Sequence, residues 1–458
     1  MLIQNNNQDL EGFIGNSDQV EANSMSGEWY SLSHLVRVTA VLTTLAVGAL
    51  AFSEEHQPTT TQQTVSSAAE QPTKRREEIA MRFLDRGFFF FKRGLIDKAI
   101  EYCNESIQLN PEYPQAYLNR AQALLRKGNL DEALRDLDMA IGLDPDYYYA
   151  YYKRGIVLCD KGDFKRAIND FDKAIEHTGS FEAYFNRGLT FSKVNEPYKA
   201  ITDFTEAIKL NPESYKAYFN RGNAWRRKGE YDKAILDFSE AIKLNPRFVE
   251  AYNNRGSAWL DIGELDKAIT DLNEAIRLDP RHTLAYYSRG NAWAKKKDFD
   301  KAIADMSEAI NLDPSNFEAY GWRGYFWQEK YNYEKAADDF GKALSLNPKD
   351  VYCRQRRARM FFRMREFDKA IDDLNELLVL EPKASTYTFR GNIWREKGEY
   401  NNAIKDYEQA LELDPNDPQI YLQRGHVWGM KGEHEKAAKD LERARELKLL
   451  KILKGQGN

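Results

Sequence analysis

An arginine recurs along this chain at a nearly fixed interval. Arg187, Arg221, Arg255 and Arg289 stand 34 residues apart, and the row runs from Arg86 to Arg424. A guanidinium is a planar fork of donors. A row of them can grip phosphates, including those of nucleic acid, or it can pair with carboxylates. Asp203, Asp237, Asp271 and Asp305 keep the same interval as the arginines, and only the first member of that row is replaced, by Tyr102. Tyr218, Gly222 and Trp225 mark one apolar helix face at i, i+4 and i+7. At about 100° per residue, Arg221 lies about 60° from the centre of that stripe, on its rim. A half-buried cation left unpaired is costly. The spacing therefore predicts a structural ladder, each Arg paired with an Asp of the same or the preceding copy, and disfavours a phosphate stripe.

Other reactive groups are sparse. Cys103, Cys159 and Cys353 stand far apart with no CxxC, so no disulfide framework or zinc knuckle is readable and packed thiols are expected. The His residues show no ligand spacing, so neither a metal nor a cofactor is expected. P-loop, GxSxG and HExxH motifs are absent, which argues against an enzyme. Lys plus Arg total 66 against 71 Asp plus Glu, for a net charge of −5. That balance lacks the basic excess that nucleic-acid binding normally shows.

The elements that must position these rows repeat with them. At 458 residues the chain is too long for one compact core. Units begin at 80, 114, 148, 181, 215, 249, 283, 317, 351, 384 and 418. Such a period signals a solenoid. Each unit reads as two helices, as in "AYFNRGNAWRRKG" (217–229) and "YDKAILDFSEAIKLN" (231–245), with Pro246 as the stop. The eighth place is Gly or Ala throughout and the twentieth is always Ala, as in Gly222 and Ala234. One helix pair cannot bury its apolar face alone, but stacked neighbours can.

This skeleton resembles the tetratricopeptide repeat (TPR) family over residues 80–451. The resemblance implies an all-α, right-handed superhelical solenoid of antiparallel helix pairs, with the first helices lining the concave face. It also implies binding of peptides or helical segments of other proteins rather than catalysis. Two departures stand out. The family usually has an aliphatic residue where this chain has Arg221 and its equivalents, and the eleventh unit has Leu449 in place of its Pro. The last helix is therefore expected to run on through "KLLKILK" (448–454), with 452–458 as its end and tail. Two readings of it stand: a cap over the last apolar face, or a basic amphipathic segment for a membrane surface or partner.

If first helices line a groove, its residues are those opposite the stripe: the second, fifth, ninth, twelfth and thirteenth of each unit. Phe88, Phe91, Leu118, Tyr152, Phe185 and Phe219 then form an apolar run on a wet face, joined by Asn223, Arg226 and Arg227. The alternative is that the fifth place packs between adjacent first helices. Asn223, Asn291 and Asn392 occupy one position of the family's carboxylate clamp. No Lys or Arg stands at the fifth place, so capture of chaperone tails in that form is not expected. A scaffold binding other proteins is thus the leading expectation. An RNA-binding solenoid using Arg226, Arg227, Arg359 and Arg363 is the alternative.

The N-terminal 79 residues are different. Residues 1–34 are polar, lack Lys and Arg, and read as disordered. Residues 35–52 hold the apolar run "VTAVLTTLAVGALAF", which suits a signal peptide or short anchor. A start at Met25 would give it a short n-region. Residues 53–79 read as a flexible linker and helix lead-in. Export, or membrane association through 35–52, is the expectation; a cytoplasmic chain is the alternative.

Overall fold

A computed structural model of the protein describes residues 63–455, with side chains from Lys74 to Leu450 and at Ile452. The polar start (1–34), the apolar segment (35–52), the first part of the linker and residues 456–458 lie outside the described residues. The chain divides between Glu78 and Ile79. Before that division the described part is helical from Gln63, which corrects the linker reading over 63–73. Ala, Gln, Glu, Lys and Arg are good helix formers, and they carry the helix upstream of the first repeat. No described helix is long and apolar enough to cross a membrane.

The described residues form twenty-two helices and no strand. The first three units contain α1 (Gln63–Lys92), α2 (Ile96–Leu109), α3 (Pro114–Lys127), α4 (Leu130–Leu143), α5 (Tyr148–Asp160) and α6 (Phe164–Thr178). The next four contain α7 (Phe181–Lys193), α8 (Pro197–Leu210), α9 (Tyr215–Arg227), α10 (Tyr231–Leu244), α11 (Val249–Asp261), α12 (Leu265–Leu278), α13 (Thr283–Lys295) and α14 (Phe299–Leu312). The last four contain α15 (Phe317–Glu329), α16 (Tyr333–Leu346), α17 (Val351–Arg363), α18 (Phe367–Leu380), α19 (Ala384–Glu396), α20 (Tyr400–Leu413), α21 (Pro418–Met430) and α22 (His434–Gly455). Odd-numbered helices are the first of each unit and even-numbered helices the second. The result is the tandem all-α solenoid expected from the period.

The turn inside each unit needs one residue in the left-handed region. Gly229 supplies it at φ 77°, but Asn195, Lys297, Tyr331 and Arg365 hold the equivalent place at φ 59–63° without glycine's freedom. Within a unit the two helices meet at the eighth and twenty-fourth places. A Cβ on Gly222 would come within 2.8 Å of the Phe238 ring. Where the eighth place is Ala121 or Ala358, the facing residue is the smaller Leu137 or Leu374, and all four are buried.

Successive first helices lie against each other, as α7 with α9, α9 with α11, and α11 with α13. No pair of successive second helices makes comparable contact among the described residues. The first helices therefore form the inner, concave layer. At the far end, α22 continues as one helix to Gly455, with Leu449, Leu450 and Ile452 exposed along it. A single continuous helix cannot fold back over its own unit. Gly425, Met430, Ala438 and Leu441 still line an open cavity of about 630 Å³ on the face a twelfth unit would cover.

Candidate functional site

The arginine row forms by the same geometry in every unit after the first. Arg221 donates from Nε and Nη2 to the two carboxylate oxygens of Asp237, at 2.8 and 2.7 Å. Arg187 with Asp203, Arg255 with Asp271 and Arg289 with Asp305 repeat this fork within 2.6–2.9 Å. Each pair belongs to one unit and joins its first helix to its second. The aspartates are buried and the arginines half-buried. Burial pushes the Asp203, Asp237 and Asp305 carboxyls above their usual range, with the arginine bonds pulling the other way. Arg86, which has Tyr102 across from it, is exposed.

In most of the paired units the third arm of the guanidinium makes a link that the Arg–Asp spacing did not predict. Nη1 reaches back to the second helix of the preceding unit: Arg221 to Thr205 at 3.1 Å, Arg255 to Ser239 at 3.0 Å, Arg289 to Asn273 at 2.7 Å. These acceptors lie two residues after the preceding aspartate, so one arginine ties two units. A second link went unread too. Lys127 bonds Asp97 at 2.7 Å, and Lys161 with Asp131 and Lys330 with Asp300 repeat it 30 residues back. Where the earlier unit has Tyr198 instead, Lys228 sits 3.8 Å over its ring. The signal was present, as a Lys at the fourteenth place and an Asp at the eighteenth.

Much of the predicted concave groove is filled. Leu118 and Tyr152 are only 1% and 7% exposed and belong to the apolar core, so neither lines an open groove. Phe185 is half-buried, stacked on Phe181 at 5.5 Å and tilted onto Phe204 at 5.7 Å. Phe219 packs against Phe238 and, at the junction with the next unit, Phe248 at 4.8 Å. The physical reason is shared. First helices sit close enough that the fifth place fills the seam between them. Phe88 and Phe91 are half-buried beneath Lys92 and Arg126, respectively. Asn223 accepts from Asn254 of the next unit at 2.8 Å. Arg226 bonds Asp261 at 2.9 Å, and Arg227 bonds the Ser192 carbonyl at 2.7 Å. The predicted groove set thus mostly stitches the inner layer together.

Farther along, the inner layer is less tied down. On α17, Tyr352, Arg356, Arg359 and Arg363 fall at i, i+4, i+7 and i+11 and form one stripe. Arg356 lies 5.4 Å over the Tyr325 ring and 5.0 Å over Tyr352, and donates to Gln328 at 3.2 Å. Arg359 and Arg363 are exposed, and no ion pair or hydrogen bond holds either of them among the described residues. Upstream, Trp322 packs edge-on to Tyr325 at 5.9 Å. Burial and the nearby Glu318 push the Tyr287 hydroxyl up to about 12. The stripe consists of cations and aromatic rings. No group of three or more His, Cys, Asp or Glu among the described residues could hold a metal.

Comparison with known proteins agrees with this architecture. Tetratricopeptide repeat models match residues 90–148, 181–214, 215–248, 253–318 and 287–351, and a TPR repeat model matches 391–432. No curated protein matches the chain. Among solved structures it is similar to YrrB, described as a TPR protein with an unusual peptide-binding site, at 28% identity over 41% of this chain and 97% of that one (TM-score 0.38). It is also similar to a tetratricopeptide repeat protein from Parabacteroides merdae, at 23% identity over 54% and 99% (TM-score 0.40). Yeast Tom70 is 19% identical over 81% and 92% (TM-score 0.36). With eleven stacked helix pairs and repeat models that together match more than half its length, the chain belongs to the tetratricopeptide repeat family.

Proposed function

We propose that this protein is a non-enzymatic interaction scaffold that binds a peptide or helical segment of a partner protein on its concave face. Membership of the repeat family supports a protein-interaction role in general. The observation that carries the finer reading is the contrast along the inner layer. In the early and middle units, from Leu118 to Arg226, its side chains are consumed by bonds and packing between units; in the ninth unit Tyr352, Arg359 and Arg363 remain open. The RNA reading loses two of its four arginines for the same reason, because Arg226 and Arg227 are engaged within the array.

Site-specific photo-crosslinking in the native cell tests this. A photoreactive residue at Tyr352, on the inner layer, is compared with one at Val379, which is 85% exposed on the second helix α18. The reading expects a discrete polypeptide adduct from position 352 and none from 379. Adducts from 379 alone, or RNA adducts from 352, would overturn it.

A further inference from the structure

The structure assigns the partner a charge: we propose that the stripe Tyr352–Arg356–Arg359–Arg363 binds an acidic segment of another protein in extended conformation. This deepens the concave-face reading and rests on it. The chain as a whole carries a net charge of −5, and beyond the first unit most other arginines of the inner layer are bonded within it, as Arg226 is to Asp261. Arg395, one unit on, is held by Gln423 at 2.5 Å and Glu396 at 3.0 Å. Glu329, beside Tyr325, accepts from Gln328 at 3.5 Å. Arg359 and Arg363 are left as solvated guanidiniums one helical turn apart, about 6 Å at their roots. That spacing matches alternate side chains on one face of an extended chain, which repeat every ~6.6 Å.

An acidic-x-acidic pattern therefore places two carboxylates over two forks at once, where each can bond bidentately. Arg356 is pre-positioned beside them by the Tyr325 and Tyr352 rings and by Gln328, so it loses little freedom on binding. A flanking apolar side chain of the partner would meet the exposed edge of Tyr352. A protein segment is favoured over nucleic acid because the cations occupy one stripe of a single helix. The neighbouring units offer no basic track for a phosphate backbone to follow.

The test uses the full chain and a fluorescein-labelled peptide, Gly-Glu-Ser-Glu-Ser-Glu-Gly, read by fluorescence anisotropy. Its Gln-for-Glu counterpart and a uridine oligonucleotide are the comparisons. The proposal expects saturable binding of the Glu peptide, weakened by added salt, and little binding of the Gln peptide. The double variant R359E/R363E should weaken it roughly tenfold or beyond. R365E, the same charge change in the turn off the stripe, should leave it unchanged, and the circular dichroism of both variants should match the parent. Unchanged affinity in R359E/R363E overturns the proposal, as does equal binding of the Gln peptide. Tighter binding of the oligonucleotide at the same salt also overturns it, in favour of RNA. If no acidic peptide binds while Tyr352 still crosslinks to a polypeptide, the acidic assignment fails and the concave-face reading stands.

Discussion

Arg221 clasps both carboxylate oxygens of Asp237 with two of its nitrogens and hands the third to Thr205 of the preceding unit, at 3.1 Å. The residue that by type most resembles a ligand grip is therefore a joint with three attachments, repeated down the array. Desolvating such a pair costs about as much as its attraction returns, but breaking it strands a charge.

Arg221→Ala should therefore destabilise the fifth unit by about 3 kcal/mol, because buried Asp237 is left unpaired. Replacing both partners together, with Leu at 221 and at 237, should bring the cost to within about 1 kcal/mol of the parent. Native-state hydrogen exchange of the α9 and α10 amides reads this locally, which suits a chain whose units unfold semi-independently. Equal costs for the single and double variants would show that the pair is not what the unit depends on.

Gly222→Ala pushes a methyl to 2.8 Å from the Phe238 ring. Overpacking should cost about 1–3 kcal/mol, more than the gain in helix propensity. Adding Phe238→Leu should recover most of the loss, since Ala121 already faces Leu137 in the second unit. Thermal unfolding of the three proteins distinguishes a steric cause from a general one: without recovery in the double variant, the steric explanation fails.

Lys297→Gly should stabilise the protein by about 1 kcal/mol. Lys297 is exposed in the turn and sits at φ 63°, a conformation that costs a side-chain-bearing residue more than it costs glycine. Glycine's freer unfolded chain offsets part of that gain. Urea denaturation reads the change, and a loss of stability would refute the strain at this turn.

Stability should fall on the alkaline side. Burial raises the Cys103 and Cys353 thiols from 9.0 to about 12, and the Tyr407 hydroxyl from 10.0 to about 12. The folded protein keeps these protons where the unfolded chain releases them. Their contribution is thus whole below about pH 9 and is lost as pH rises towards 12. Melting temperatures measured across that window should drop, with a shallower fall in Tyr407→Phe. The same thiols should resist alkylation near neutral pH until the protein unfolds.

The period, the helix pairs and the Arg–Asp partnership were legible because each depends on residues that recur within one unit. The concave surface was not, because it depends on how tightly neighbouring units stack. A helical wheel put Phe219 on an open face, but only the seam with Phe248 shows the space to be filled. Leu118 and Tyr152 failed as contacts for the same reason. Lys127 with Asp97 was readable in principle, since both places recur, but the bond crosses a unit boundary that a single-unit view does not span. Arg359 and Arg363 drew notice only as members of the RNA alternative, beside Arg226 and Arg227. Their distinction is lacking a partner, which composition cannot display.

The central claim is that partners are received on the first helices. Hydrogen–deuterium exchange of the full chain, with and without the polypeptide captured at Tyr352, tests it most directly. The account predicts new protection concentrated on the first helices, strongest at α15 and α17, with the second helices unchanged. Protection confined to α16, α18 or the turns between units would contradict it.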